Sequence, residues 1–140
     1  MYAVAVLAEQ PLSAIDAEQV TGLHVGLDET VRYHVLVPGN ADATTSAADV
    51  LRQAGRSGST DAVAEVAGSA DPVEALTEIA KRSDAAEVIV LTSSHPVREA
   101  LHRDWASQVR SRLHLPTLHL LEHESFNEQS AGLGEGNSGL

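Results

Sequence analysis

Apolar positions along the chain switch between two periods. Tyr2 to Leu7, Val31 to Val37, Ala62 to Ala67, Val88 to Leu91 and Thr117 to Leu121 are short apolar runs of strand length, bounded by Pro, Gly, Asn or Ser. The β-branched run Val88 to Leu91 has no polar face, as expected of a parallel strand covered on both sides. Between these runs the apolar residues recur every three or four positions, at Ala47, Val50, Leu51 and Ala54, then at Val73, Leu76, Ile79 and Ala80. A third stripe comprises Val97, Leu101, Trp105, Val109 and Leu113, between Pro96 and Pro116. Such spacing puts one apolar face on a helix.

Local signals mark where helices begin. Ser13 followed by Asp16 reads as a capping box that opens a short helix over Ala14 to Thr21. Asp71-Pro72-Val73-Glu74 is the sharpest start: Asp caps, Pro occupies the first turn without wasting a donor, and Glu completes the box. Lys81 and Arg82 stand at the other end of that helix, where its dipole favours cations. Gly22 and Gly26 loosen the chain before the second strand, and Gly55 to Thr60 reads as a flexible loop. The alternation βαβαβαβαβ predicts a three-layer α/β/α, Rossmann-like fold with a five-stranded parallel sheet of order 3-2-1-4-5. Ligands of such sheets sit beyond the carboxyl ends of the strands where the order reverses, which places a site near Glu9 to Ser13 and Thr92 to Arg98.

Composition narrows the functional classes. The net charge of −11 opposes binding to nucleic acid or an anionic membrane, and with 3% aromatic residues the chain lacks stacking platforms for bases. There is no cysteine, no run near the ~20 apolar residues that cross a bilayer, and no basic region ahead of the apolar Met1 to Ala8. A cytoplasmic location is the expectation. Residues 1–123 read as one domain, and Glu124 to Leu140, with four glycines and no apolar period, as a disordered tail.

Candidate chemistry is sparse. Ser93, Ser94 and His95 are neighbours in sequence without a strained nucleophile turn, so Ser94 reads as a helix cap. Arg98 and Arg103, beside the amide end of a helix starting near Pro96, make the crevice locally basic; a small anion fits there, while pairing with Glu99 and Asp104 is the simpler reading. The seven histidines include His119 and His123 on one strand face and His95 and His102 near one helix end, spacings that specify no metal site. Trp105 reads as an anchor of the core or of a dimer rim. No catalytic residue emerges.

The order of elements, Pro38 after the second strand, the segment Gly68 to Leu76 with its Asp71-Pro72 helix start, the run VIVLTSSH and the closing LPTLHLL together resemble the universal stress proteins, over most of residues 2 to 122. The resemblance implies an adenine-nucleotide-hydrolase-like α/β fold and a homodimer. In its nucleotide-binding members a GxxG turn and a later Gly-Ser/Thr hold the phosphates, and an acid after the first strand meets the adenine. Here Thr92 and His95 replace the two glycines of the turn, Arg103-Asp104 replaces Gly-Ser, and Glu9 stands in for the acid. The residues around a ligand would therefore be Glu9, Thr92, Ser93, Ser94, His95, Arg98, Arg103 and Asp104, with no cofactor expected and an adenine nucleotide as the alternative. The fifth strand, Thr117, Leu118, His119, Leu120 and Leu121, lies at a sheet edge and is the expected dimer surface. The resulting expectation is a non-catalytic regulatory or stress-response module that does not bind ATP in the usual way, with a modified nucleotide or small-anion crevice as the alternative.

Overall fold

The computed structural model describes residues 1–92 and 104–121, with the side chain of Asp104 excepted. Five strands, β1 (Tyr2–Ala8), β2 (Val31–Leu36), β3 (Thr60–Ala64), β4 (Glu87–Thr92) and β5 (Thr117–Leu121), form one sheet of order β3-β2-β1-β4-β5. Every pairing is parallel. Four described helices flank it: α1 (Ala14–Gly22), α2 (Ala41–Ala54), α3 (Pro72–Ser83) and α4 (Asp104–Leu113).

Two apolar layers follow from the strand alternation. Val4, Val6, Tyr33, Val35, Ile89 and Leu91 face α1 and α2, whose Val20, Ala47 and Leu51 close one core. On the other face Ala5, Leu7, Val88 and Val90 meet Leu76 and Ile79 of α3 and Val109 of α4. Trp105 is partly buried against this second core. The central strands carry fully buried side chains on both faces, which is why their sequences read as continuous apolar runs rather than alternating ones.

Two helix starts are those the sequence signals. Ser13 Oγ accepts from the Asp16 amide and Asp16 Oδ2 accepts from the Ser13 amide, both at 3.1 Å, a complete capping box. Asp71 Oδ1 accepts from Val73 and Glu74, and Pro72 opens α3. Glu74 does not complete a box there, because the Asp71 amide donates instead to Ser69 Oγ at 3.1 Å. The second helix begins earlier than its apolar stripe suggests, at Ala41, because Asn40 Oδ1 caps it at the Ala43 amide. Gly39, at φ 71°, supplies the reversal between β2 and that cap.

One expectation shifts, and three fall outside the described residues. The third strand spans Thr60–Ala64 and not Ala62 to Ala67, since its length is set by β2: the pairing ends at Val35↔Ala64, with one further bond from the Glu65 amide to the Val35 carbonyl. Val66, read as a strand residue, is 81% exposed. Ser94 as a cap, the apolar stripe before Asp104 and the tail from Glu124 lie outside the described residues.

Helix α4 ends at His114, an exposed non-glycine residue with φ 56°. The left-handed region disfavours a side chain with a Cβ by about 1–2 kcal/mol. His114→Gly is expected to stabilise the fold by roughly 0.5–1 kcal/mol, net of the added freedom of the unfolded chain, and to raise Tm by a few °C. An unchanged or lower Tm in differential scanning calorimetry would contradict this account of the helix end.

Candidate functional site

The carboxyl ends of β1 and β4 meet where the strand order reverses. Ala8 pairs with Leu91, and the Glu9 amide extends the ladder by donating to the Leu91 carbonyl at 2.9 Å. Glu9 and Thr92, both singled out in the sequence, are therefore neighbours at this edge. Thr92 is fully buried, and its Oγ1 lies 2.6 Å from His119 Nε2 on β5, so its hydroxyl is engaged sideways within the sheet. Asp104 is the first residue of α4. Ser93, Ser94, His95, Arg98 and Arg103 lie outside the described residues.

A cavity of about 390 Å³ opens at the same end of the sheet, but above β2 and β3. Its walls are mainly apolar, from Leu36, Val37, Pro38, Val66 and Pro72. The starts of α2 and α3 border it, and their first-turn amides are occupied in part by Asn40 and Asp71. Thr44 Oγ1 accepts from the Val37 amide at 2.9 Å and lies 2.9 Å from the Asn40 carbonyl, which pins the strand end to the helix. Strand order alone points to β1 and β4; Pro38 and Pro72, which line this neighbouring cavity, were read in the sequence as element boundaries and as marks of the resemblance, not as site residues.

A polar chain runs beneath that cavity. His34 Nδ1 lies 2.7 Å from Glu65 Oε2, and Arg82 donates to Glu65 Oε1 at 2.6 Å and to the Val66 carbonyl at 2.9 Å. Glu78 ties the same segment down by accepting from the Gly68 amide at 3.1 Å. Burial pushes the Glu65 carboxyl up, but hydrogen bonds and charge from Arg82 and His34 outweigh it and hold the group below its ordinary value.

A second polar cluster lies at the opposite, amino end of the strands. His24 Nδ1 stands 2.8 Å from Tyr33 Oη, and its Nε2 2.9 Å from Glu87 Oε1. Tyr2 donates to the same Glu87 oxygen at 2.7 Å. His24 is 7% exposed and Tyr33 1%, so each polar atom here has a partner because an orphan would be costly. The assignment that satisfies all four groups has His24 Nε2–H donating to Glu87 and Tyr33 donating to Nδ1. The His24 hydrogen bond is the main cause of a depressed Glu87 carboxyl; burial opposes it and the Tyr2 bond adds to it. The Glu87 bond and burial push the Tyr2 phenol up to about 12, and burial pushes Tyr33 up further. Among the described residues no group of three His, Asp or Glu side chains converges as metal ligands.

These shifts fix a pH profile. Glu65 and Glu87 are favoured ionised in the fold, so their contribution is present above the ordinary carboxyl value of 4.5 and is lost as pH falls through their lowered folded values. Tyr2 is favoured neutral, so its contribution is present below pH 10.0 and is lost as pH rises toward about 12. Thermal melts against pH should show a plateau bounded by both limbs, and Glu87→Gln should flatten both. A Glu87→Gln profile that parallels the natural one would contradict the assignment.

The folds of known proteins resolve the architecture. One solved structure, a universal stress protein from Archaeoglobus fulgidus, superposes with a TM-score of 0.56 over 85% of this chain and 93% of its own, at 14% identity. The chain has the universal stress protein fold. Another, a universal stress protein in complex with cAMP, superposes with a TM-score of 0.54 over 86% of this chain and 98% of its own, at 16% identity. No family model matches the sequence, and no curated protein matches it. At these identities the likeness is one of fold. No described helix is long and apolar enough to cross a membrane.

Proposed function

We propose that this chain is a non-catalytic, cytoplasmic regulatory or stress-response module of the universal stress protein type that does not hold ATP in that family's usual mode. The burial and engagement of Thr92 carry the reading. A phosphate cradle made of backbone amides needs close approach and freedom in φ at the turn after β4, which glycine supplies. In this chain the residue that stands for the first of those glycines is Thr92, the β-branched last residue of β4, whose hydroxyl lies 2.6 Å from His119 Nε2. The polar clusters at Glu65 and Glu87 are closed on themselves, which suits a structural role better than proton transfer to a substrate. Titration calorimetry with Mg-ATP is expected to show no micromolar binding and no turnover. Micromolar affinity that disappears in Glu9→Ala would overturn the reading and restore an adenine-facing role for the acid after β1.

The second reading is a nucleotide- or small-anion-binding protein that uses a modified crevice at the carboxyl ends of β1 and β4, where the strand order reverses. Two observations favour it: the roughly 390 Å³ cavity beside β2 and β3, and the cAMP bound by one structural likeness. Titration with cAMP, AMP and inorganic phosphate separates the two readings. Binding of any of them at micromolar concentration supports the second.

A further inference from the structure

The strongest unassigned feature is at the amino end of the sheet, away from the crevice of the proposed function. A cavity of about 190 Å³ lies between α1, the segment leading into β2, and the turn between α2 and β3. It is well below the roughly 300–1,000 Å³ of pockets for drug-sized ligands, which limits an occupant to about ten non-hydrogen atoms. One part of its wall is apolar, from Val25, Leu27 and Val31. The buried His24–Tyr33 pair closes another and is fixed from behind by Glu87, so the wall is rigid.

Two opposite charges on this cavity are left over from the fold's own pairing. Glu18, exposed on α1, makes no ion pair or hydrogen bond with a described residue. Among the described residues, Arg56, exposed on the α2–β3 turn, reaches only the Val25 carbonyl, at 3.4 Å, and is the only Lys or Arg lining the cavity. The two do not pair with each other, in contrast to Arg32–Asp61 and Arg82–Glu65 elsewhere on the surface. Glu29, the other carboxylate on the wall, is occupied by the amino terminus of Met1 at 2.8 Å. A carboxylate and a guanidinium that line one small, partly apolar cavity without pairing with each other complement a molecule carrying both charges beside an apolar body.

We propose that this cavity binds a free α-amino acid with an aliphatic side chain, its ammonium facing Glu18, its carboxylate facing Arg56 and its side chain on Val25, Leu27 and Val31. Guanidinium suits the carboxylate because its planar fork makes two parallel hydrogen bonds. The inference is independent of the nucleotide reading at the other end of the sheet. It is tested by calorimetry and by proton–nitrogen NMR of the full chain with L-leucine, with 3-methylbutylamine, which lacks the carboxylate, and with 4-methylpentanoate, which lacks the ammonium. L-leucine is expected to bind and to shift the His24 and Tyr33 resonances, with each analogue at least tenfold weaker. Glu18→Gln and Arg56→Gln, both exposed, should leave Tm unchanged while each weakens L-leucine at least tenfold. No shift at millimolar L-leucine, an analogue binding as tightly as L-leucine, or binding indifferent to both substitutions would overturn the proposal.

Discussion

Replacing His24 by leucine is expected to lower the stability of the fold by about 3 kcal/mol, or roughly 10 °C in Tm for a chain of this length. The substitution approximately keeps the volume and removes two hydrogen bonds at once. It strands the Tyr33 hydroxyl at 1% exposure and takes from Glu87 the donor that most lowers its pKa. Tyr33→Phe should cost less, about 1 kcal/mol, because it orphans only His24 Nδ1 and brings in no unpaired charge. The double variant should cost less than the sum, since the second substitution removes the group the first one strands. Chemical denaturation with a two-state fit measures all three. A His24→Leu loss under 0.5 kcal/mol would mean that the cluster holds nothing in place.

How much of this the sequence discloses depends on the range of the interaction. Ser13 with Asp16 and Asp71 with Val73 act over two or three residues, so these helix starts can be read from residue type and spacing, whereas Asn40, which caps Ala43 over the same range, stands in the turn after Pro38 and ahead of an apolar stripe that begins only at Ala47. Strand order follows from the alternation of elements and the short connections between them. The clusters do not, because they depend on register. Tyr2 stands opposite Val31 and Glu87 opposite Val4, which sets three strand starts side by side around His24. His24 lies between Gly22 and Gly26, in a stretch whose glycines read as slack chain, and nothing in its neighbours marks it as buried.

The same limit governs the candidate site. Glu9 and Thr92 were legible because a parallel sheet puts the ends of β1 and β4 together whatever their register. The engagement of Thr92 by His119 was not, since it follows from β5 pairing with β4 at Val90↔His119. The cavity over β2 and β3 also depends on where pairing stops: Pro38 turns the chain after β2 while Val66 departs from β3, and the gap between them becomes the opening. Short-range rules locate the ends of elements. Whether two ends enclose a volume is a matter of how far each strand runs, which neither segment encodes alone.

The unmodified chain is expected to run in light scattering at tens of micromolar with twice its 14.7 kDa mass, and Leu118→Lys is expected to halve that value. Strand β5 is the last in the sheet, and the bond from the Val88 amide to the Pro116 carbonyl fixes which way its groups point. In a parallel ladder the outward amides and carbonyls then belong to Thr117, His119 and Leu121. Arg110 covers the Thr117 carbonyl at 3.0 Å, leaving the His119 and Leu121 portion for a second copy, whose identical edge can run antiparallel about a two-fold axis. The other edge is guarded differently: Arg52 donates to the Ala62 carbonyl of β3 at 2.5 Å, and the pattern of that ladder points this carbonyl outward at mid-strand. Leu118, 38% exposed, is the site where an added cation opposes self-pairing with little loss of core, and lysine is the residue that natural edges use for this. Proline at Leu118 is a poorer probe, because the amide it removes faces β4 and its loss would damage the sheet itself. A monomer for the unmodified chain, or a dimer that survives Leu118→Lys with its dissociation constant unchanged, would place any self-association away from β5.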